Sequence, residues 1–301
     1  MAIERKKDKY GNKMRHRGEA LFRMTAAIVF WILVWQLLSF LIGSELLLPS
    51  PWAVVRSFCG LAQTTEFYRS ILHTLLRVAA GFAAGMAAGL LAGTLTAFSC
   101  AADVLLTPLK NIIKATPVTS FIVLILLYFS SNVTPSAVAF LAVLPICWSN
   151  VCEGLRQTDK KMTELAHAYA FGRKKTLREI YFPAVRPYLS AAATTGLGFA
   201  WKSCVAAEVI ALSKNSVGRA LYESKLYLET AELFAWTASV VLISVLFEKL
   251  LVHKLFKNKN TEGAAGRRSE SLEHGHASCE AELQYKSDAY AEYGRDEERN
   301  I

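Results

Sequence analysis

Ionisable residues inside apolar runs are the first candidates for chemistry in this 301-residue chain. Lys202 and Glu208 both lie in WKSCVAAEVIAL, within a block that is otherwise apolar. Six residues of helix turn through about 600°, so the two side chains point to different faces and do not simply pair with each other. Ionisable groups deep in a membrane are costly and usually face a cavity, a partner or the protein interior. Two interpretations stay open. Either Glu208 sits near the outer interface while Lys202 snorkels or pairs elsewhere, or both residues belong to an ion or anion pathway.

A second polar feature is the segment ELAHAYAFGRKKTLREIYFP, residues 164–183. Asp159 and Thr163 are helix-start residues and Gly172 is a helix stop, which predicts a short helix over residues 160–171. A second short helix over 173–182 is expected to end before Pro183. Exposed apolar side chains at Leu165, Ala168, Tyr169 and Phe171 suit docking into a groove of a soluble partner. They suit equally an amphipathic helix on anionic lipid.

Known catalytic patterns are missing from the sequence. No glycine is followed by lysine, so there is no Walker A loop, and there is no HExxH, GxSxG or paired-cysteine metal site. His274 and His276 in HGH would supply two metal ligands without a third. The six cysteines have no metal or redox spacing, and Cys147 and Cys152 are interpreted as small apolar fillers. We therefore expect a non-catalytic chain without cofactor or metal.

Five apolar runs dominate the chain, at residues 24–44, 78–102, 115–152, 187–212 and 233–252. A membrane crossing takes about 20 residues, so the third run is interpreted as two spans joined by a tight hairpin at SSNVTPS. This predicts an all-α membrane protein with six transmembrane helices. The third, over 116–129, is short unless it starts before Pro117 and kinks there. The first run is too long for a signal peptide, and no cleavage site follows it.

The distribution of Lys and Arg predicts the orientation. With a cytoplasmic N-terminus, the inner segments carry 22 of the 34 basic residues and the outer segments carry 5. Both termini are then cytoplasmic, and the net charge of +9 needs no nucleic-acid partner to explain it. The expected organisation is a basic segment 1–24, a membrane domain 25–255 with a cytoplasmic loop 153–187, and an acidic, disordered tail 256–301.

A glycine stripe marks the second span, in GFAAGMAAGLLAG. Its members recur every four residues and allow another helix to approach closely: Gly81, Gly85, Gly89 and Gly93. Tight packing inside a bundle is the favoured interpretation. A surface that slides between conformations is the alternative.

The polar segment resembles the EAA loop of the membrane permeases of ATP-binding-cassette importers. That pattern is E-A-A, three residues, G, nine residues, I, one residue, L-P. It maps without a gap onto seven residues: Glu164, Leu165, Ala166, Ala170, Ile180, Phe182 and Pro183. Ala170 stands at the position of the pattern's glycine, and Gly172, two residues later, is the candidate to replace that glycine in the turn. Leu165, Ala170 and Phe182 depart from the pattern.

The resemblance extends over roughly residues 25–255, through LLLPSPWAVV, HTLLRVAAGF, ATPVTSFIVLILLYF and AAEVIALSKNSVGRAL. These stretches are similar to the nitrate/sulfonate/taurine branch of the family. The resemblance implies a type I importer bundle in the bacterial cytoplasmic membrane, a permease homodimer, two ATP-binding subunits and an extracytoplasmic solute-binding protein. It further implies that the loop's first helix sits in a cleft of the ATPase, with Glu164 close to basic residues.

Two other functions remain open beside the importer. One is a secondary transporter or channel with Lys202 and Glu208 in its pathway, although no internal repeat relates the halves. The other is a membrane scaffold whose loop recruits a soluble protein. For an importer, the related permeases handle alkanesulfonates, taurine, nitrate, bicarbonate and thiamine precursors, and Lys202 favours an anion.

Overall fold

The computed structural model describes residue 23 and residues 25–256, and every regular element there is helical. In chain order the helices are α1 Thr25–Ile42, α2 Pro51–Leu61, α3 Thr65–Phe98, α4 Cys100–Ala115, α5 Val118–Tyr128, α6 Thr134–Arg156, α7 Lys160–Ala168, α8 Arg173–Thr176, a π-helical turn Leu177–Tyr181, α9 Phe182–Ala211, α10 Val217–Leu226 and α11 Thr230–Phe256. The chain divides into a compact unit ending at Leu250 and a second unit beginning at Leu251. The first unit is described below. The predicted acidic tail and most of the basic segment 1–24 lie outside the described residues.

Side-chain caps set several helix starts. The hydroxyls of Ser50, Thr64, Ser99 and Ser216 each accept a backbone N–H three residues on, at the beginning of α2, α3, α4 and α10. Such caps satisfy amide groups that would otherwise lack a partner in the first turn. These helices therefore begin where the local sequence predicts.

Four helices within the described residues are long and apolar enough to cross a membrane: α1, α3, α6 and α11. They coincide with four of the six predicted spans. The count rises to five if α4 and α5 together form one bent span. The prediction of an all-helical, multi-span protein is confirmed, whereas the number six and the orientation of the termini remain predictions.

The third predicted span is broken rather than kinked. The axes of α4 and α5 differ by 104°, and the break falls at Thr116 and Pro117, where Thr116 is extended with ψ 128°. A proline disfavours helical geometry in the residue before it and cannot donate a backbone hydrogen bond. The apolar segment after it, α5, has only 11 residues.

The fifth predicted span corresponds to α9, a helix of 30 residues that is not among those apolar enough to cross by composition. Its Lys202, Glu208 and several Gly, Ser and Thr residues lower its mean hydropathy. Many of its side chains are buried against other helices, including Ala192, Ala200 and Ala207. A helix enclosed by protein does not need the apolar surface that lipid requires.

The glycine stripe packs α3 against α6. A Cβ added at Gly85 would lie 2.8 Å from Cβ of Val143 and 2.9 Å from the carbonyl oxygen of Phe140. One at Gly93 would lie 2.8 Å from Cβ of Val151. The other two glycines, Gly81 and Gly89, are equally close to α6. Because all four positions lack a side chain, the backbones of α3 and α6 can approach each other closely. Cys147 of α6 is buried in the hydrophobic core beside this contact.

Candidate functional site

The loop segment that follows α6 folds as a short capped helix, α7. A carboxylate oxygen of Asp159 accepts the backbone N–H of Lys161 at 2.9 Å, and the Asp159 carbonyl accepts the N–H of Met162 at 3.1 Å. Asp159 is thus the N-cap, as its position in the sequence predicts. Ala166 is buried, at 3% exposure, whereas Glu164 is exposed.

One face of α7 and its C-terminal turn is apolar and uncovered. Met162, Leu165 and Tyr169 follow each other at intervals of three and four residues and are 54%, 52% and 70% exposed. This spacing places them on one side of the helix. We call these three side chains the α7 stripe. Sequence reasoning identified Leu165 and Tyr169 but missed Met162, although the helical interval from Leu165 could have revealed it.

The turn after α7 is made at Ala170, the position that corresponds to the family's glycine. Ala170 has φ 50°, in the left-handed region, and Phe171 donates its N–H to the Ala166 carbonyl at 2.8 Å. This six-residue hydrogen bond around a left-handed residue is the Schellman helix stop, which glycine usually supplies. Gly172 does not have a positive φ, and a Cβ there would meet nothing within 4 Å.

Gly172 instead starts the next helix. Its carbonyl accepts the N–H groups of Lys175 and Thr176 at 2.9 and 3.1 Å. The ammonium of Lys175 also lies 4.0 Å from the centre of the Phe171 ring, a cation–π contact across the turn. The two helices of the loop are therefore held in a defined relation by local contacts.

The loop then runs into α9 without a break, in contrast to the predicted end before Pro183. Residues 177–181 form a π-helical turn in which Phe182 donates its N–H to the Leu177 carbonyl. Pro183 lacks an N–H and crowds the preceding turn, and a widened turn accommodates both effects. Tyr181 packs edge-on against Phe98 at the end of α3, with ring centres 5.3 Å apart. Ile180 is half-buried and Phe182 is exposed.

Glu208 lies far from this loop, in an enclosed polar cluster. Its side chain is fully buried, and Arg77 donates to its Oε1 at 2.9 Å. Thr74 donates its hydroxyl to Oε2 at 2.9 Å, and the backbone N–H of Gly218 does so at 3.3 Å. Buried carboxylates require such partners, because an unpaired charge is costly in a medium of low polarity.

The same cluster ties α3 and α9 to the start of α10. Arg77 also donates to the carbonyl of Lys214 at 2.9 Å and to the side-chain oxygen of Asn132 at 3.3 Å. The N–H of Val217 donates to the hydroxyl of Thr74 at 3.1 Å. Sequence reasoning did not link Arg77 with Glu208. The available signal was the charge of Arg77 immediately before an uncharged run.

Lys202 has a different environment from Glu208. Its side chain is exposed, and among the described residues no carboxylate lies within ion-pair distance of it. The structure thus separates the two ionisable groups of α9. One is neutralised inside the bundle, and the other is uncovered.

A cavity of about 600 Å³ opens beside α10. Charged side chains of both signs line it: Glu66, Arg69, Lys214, Arg219, Glu223, Glu229 and Glu232. Arg219 and Glu223 pair with each other at 2.7 Å. This cavity could not be predicted from the sequence, because its lining comes from segments far apart in the chain. Within residues 25–256 there is no group of three or more side chains suited to bind a metal.

Comparison with known proteins identifies the family of this chain. Residues 85–253 match the family described as binding-protein-dependent transport system inner membrane component. A putative aliphatic sulfonates transport permease protein, SsuC of Bacillus subtilis, is 27% identical over 76% of this chain and 85% of its own length. The riboflavin transport system permease protein RibX of Chloroflexus aurantiacus is 30% identical over 68% of this chain and 80% of its own.

A nitrate import permease protein, NrtB of Synechocystis, is 26% identical over 63% of this chain and 72% of its own length. These relatives are transport permeases, which are non-catalytic membrane subunits, and their family works with ATPase and solute-binding partners. The family match covers more than half of the chain and includes α6, the loop and α9. The chain therefore belongs to the inner-membrane components of binding-protein-dependent transport systems, as a multi-pass permease of the ATP-binding-cassette type in the bacterial inner membrane.

Proposed function

We propose that this chain is the permease subunit of an ATP-driven importer for a small anionic solute, and that α7 couples it to the ATPase. One observation carries the coupling role: a capped helix presents the uncovered α7 stripe beside the exposed Glu164. An apolar helical face with a charge at its edge suits a groove on a soluble partner. Local caps and the turn at Ala170 keep this element rigid.

Rigidity matters because coupling requires a surface that moves as one body. A partner shifts an equilibrium only through different affinities for its states. A stiff α7 passes a displacement of its partner on to the bundle, whereas a loose loop would absorb it. The contact between Tyr181 and Phe98 and the continuation into α9 give that displacement two routes into the membrane helices.

Two relatives support an anionic solute, namely the putative aliphatic sulfonates transport permease of Bacillus subtilis and the nitrate import permease of Synechocystis. The uncovered ammonium of Lys202 is consistent with it. The full assembly we propose contains two copies of this chain, two ATP-binding subunits under the loops and a solute-binding protein on the outer face. Both termini of each permease copy lie in the cytoplasm.

A pull-down with a matched pair of variants tests the proposal. The tagged chain is purified gently from its native membrane, and copurifying proteins are identified by mass spectrometry. We expect a P-loop ATPase with the wild type, and a loss of at least about 30-fold with Glu164→Lys, since disrupting an interfacial charge pair costs about 2 kcal/mol or more.

Glu179→Lys is the control, because it makes the same charge change at an exposed site of the same loop but outside α7. It should retain the ATPase. Equal recovery with Glu164→Lys and the wild type would contradict docking through α7. A wild-type chain that purifies without any ATPase would contradict the importer itself.

A further inference from the structure

The uncovered face of α9 is the feature that the fold leaves unexplained. Its exposed residues recur every three or four positions along the helix: Ala191, Thr195, Phe199, Lys202, Ala206 and Ile210. We call this set the α9 stripe. The remaining faces of α9 pack mainly on α3, α6 and α10. One continuous side of the helix is therefore left without a neighbour in the described part of the chain.

The composition of the α9 stripe does not suit lipid. The helices apolar enough to cross a membrane expose large aliphatic and aromatic side chains, such as Leu33 and Phe40 on α1 and Leu242 on α11. The α9 stripe holds only two large apolar side chains, Phe199 and Ile210, beside two alanines, a threonine and a lysine. By composition, α9 is also not among the helices apolar enough to cross a membrane. Surfaces of small and polar residues in membranes face protein or water.

The position of Lys202 along α9 supports the same conclusion. It lies nine residues before the end of α9 at Ala211, about 14 Å along the axis. That distance exceeds the reach of a lysine side chain, so the Lys202 ammonium does not reach the end of a straight α9. The nearest acidic residue on the same helix, Glu208, already receives Arg77, Thr74 and Gly218.

We propose that the α9 stripe lines the water-filled solute path and that Lys202 is a specificity-determining residue selecting anions. This inference rests on the proposed function. A single unpaired positive charge in a narrow aqueous path with walls of low polarity attracts anions and repels cations. Glu208 does not oppose this field, because Arg77 neutralises it inside the bundle. Glu208 is assigned a positioning role, holding α10 to α3 and α9.

Charged thiol reagents of equal size test both parts. Ala206→Cys places a thiol one turn from Lys202, on the same stripe. It is built on a chain whose exposed Cys59 and Cys100, together with Cys279, are replaced by serine. Membranes carrying the assembled transporter, open on both sides, are treated with anionic sulfonatoethyl or cationic trimethylammonioethyl methanethiosulfonate, with and without Mg-ATP. The rates are normalised to those for free cysteine.

We expect Ala206→Cys to react with both reagents and to favour the anionic one. Lys202→Gln should lower the anion-to-cation rate ratio about tenfold. In water, a unit charge 5–6 Å from the thiol changes the ratio of the rates of an anionic and a cationic reagent by about this factor. Lys202→Arg should preserve the ratio. Leu242→Cys, on the exposed face of α11, is the lipid-facing control and should not react.

Two results would overturn the inference. If Ala206→Cys is as unreactive as Leu242→Cys in every condition, the α9 stripe does not line an aqueous path. If it reacts but Lys202→Gln leaves the ratio unchanged, the lysine does not select anions. The importer proposal is checked separately, by recovery of the ATPase from the same membranes. If the ATPase is recovered and either of these two results is obtained, only the inference about the α9 stripe fails.

Discussion

The turn at Ala170 makes a quantitative prediction about the loop. A left-handed conformation costs a residue with a Cβ about 1–2 kcal/mol relative to glycine, and the greater freedom of glycine in the unfolded chain offsets about 0.5–1 kcal/mol of this. Ala170→Gly should therefore stabilise the end of α7 by about 0.5–1 kcal/mol. In the family pattern a glycine occupies this position, whereas this chain retains the strain at φ 50°.

Hydrogen exchange followed by mass spectrometry can detect this change. The reporter is the peptide that contains Phe171, whose N–H closes the turn on the Ala166 carbonyl. A gain of about 1 kcal/mol slows exchange through local opening about fivefold. The measurement uses the purified chain in detergent, with α3 peptides as internal reference.

Gly172→Ala is the matched comparison for this prediction. Gly172 does not have a positive φ, and a Cβ there would have open space. The substitution should leave exchange unchanged or slow it slightly, because alanine restricts the unfolded chain. Faster exchange in Gly172→Ala, together with no change in Ala170→Gly, would show that the turn lies at Gly172 and would refute the reasoning.

Two stability predictions concern the bundle, and thermal unfolding in detergent checks both. Gly85→Ala should destabilise the bundle by up to about 2 kcal/mol, because overpacking against α6 costs about 1–3 kcal/mol and the gain in helix propensity offsets about 1 kcal/mol of it. Gly198→Ala, with open space around its Cβ, should not destabilise the bundle. Glu208→Ala should cost about 3–5 kcal/mol by leaving Arg77 partly buried and unpaired, with Glu208→Gln less damaging. Equal stability of the two members of either pair would contradict the packing or the ion-pair argument.

Local sequence signals predicted much of the helical structure. The N-cap at Asp159 and the short helix after α6 follow from residue types within a few positions of each other. The breaks were harder to predict. Proline at position 117 separates two helices by 104°, whereas proline at position 183 sits inside a helix. The difference is the π-helical turn before Pro183, which sequence periodicity does not reveal.

Long-range pairing explains what the sequence could not show about the site. Glu208 and Arg77 are 131 residues apart and meet only because α3 and α9 both pack in the bundle. Likewise, periodicity placed Lys202 on a helix but could not show which face the bundle covers. The exposed or buried state of each ionisable group depends on tertiary packing. The sequence alone therefore could not show that Glu208 is buried and Lys202 exposed.

One continuous helix connects the loop, the α9 stripe and the Glu208 cluster. From α8 through the π-helical turn to the end of α9, residues 173–211 are helical without a break, about 58 Å at the rise of an α-helix. Its first turns belong to the loop, and Lys202 lies on its uncovered face. Glu208 near its far end is tied to α3 through Arg77 and to α10 through the N–H of Gly218. A displacement of the loop therefore acts on the same rigid element that carries the proposed anion-selecting charge. The Glu208 cluster resists that displacement at the far end, so we infer that motion at the loop rotates or tilts α9 about this anchor and changes the exposure of the α9 stripe.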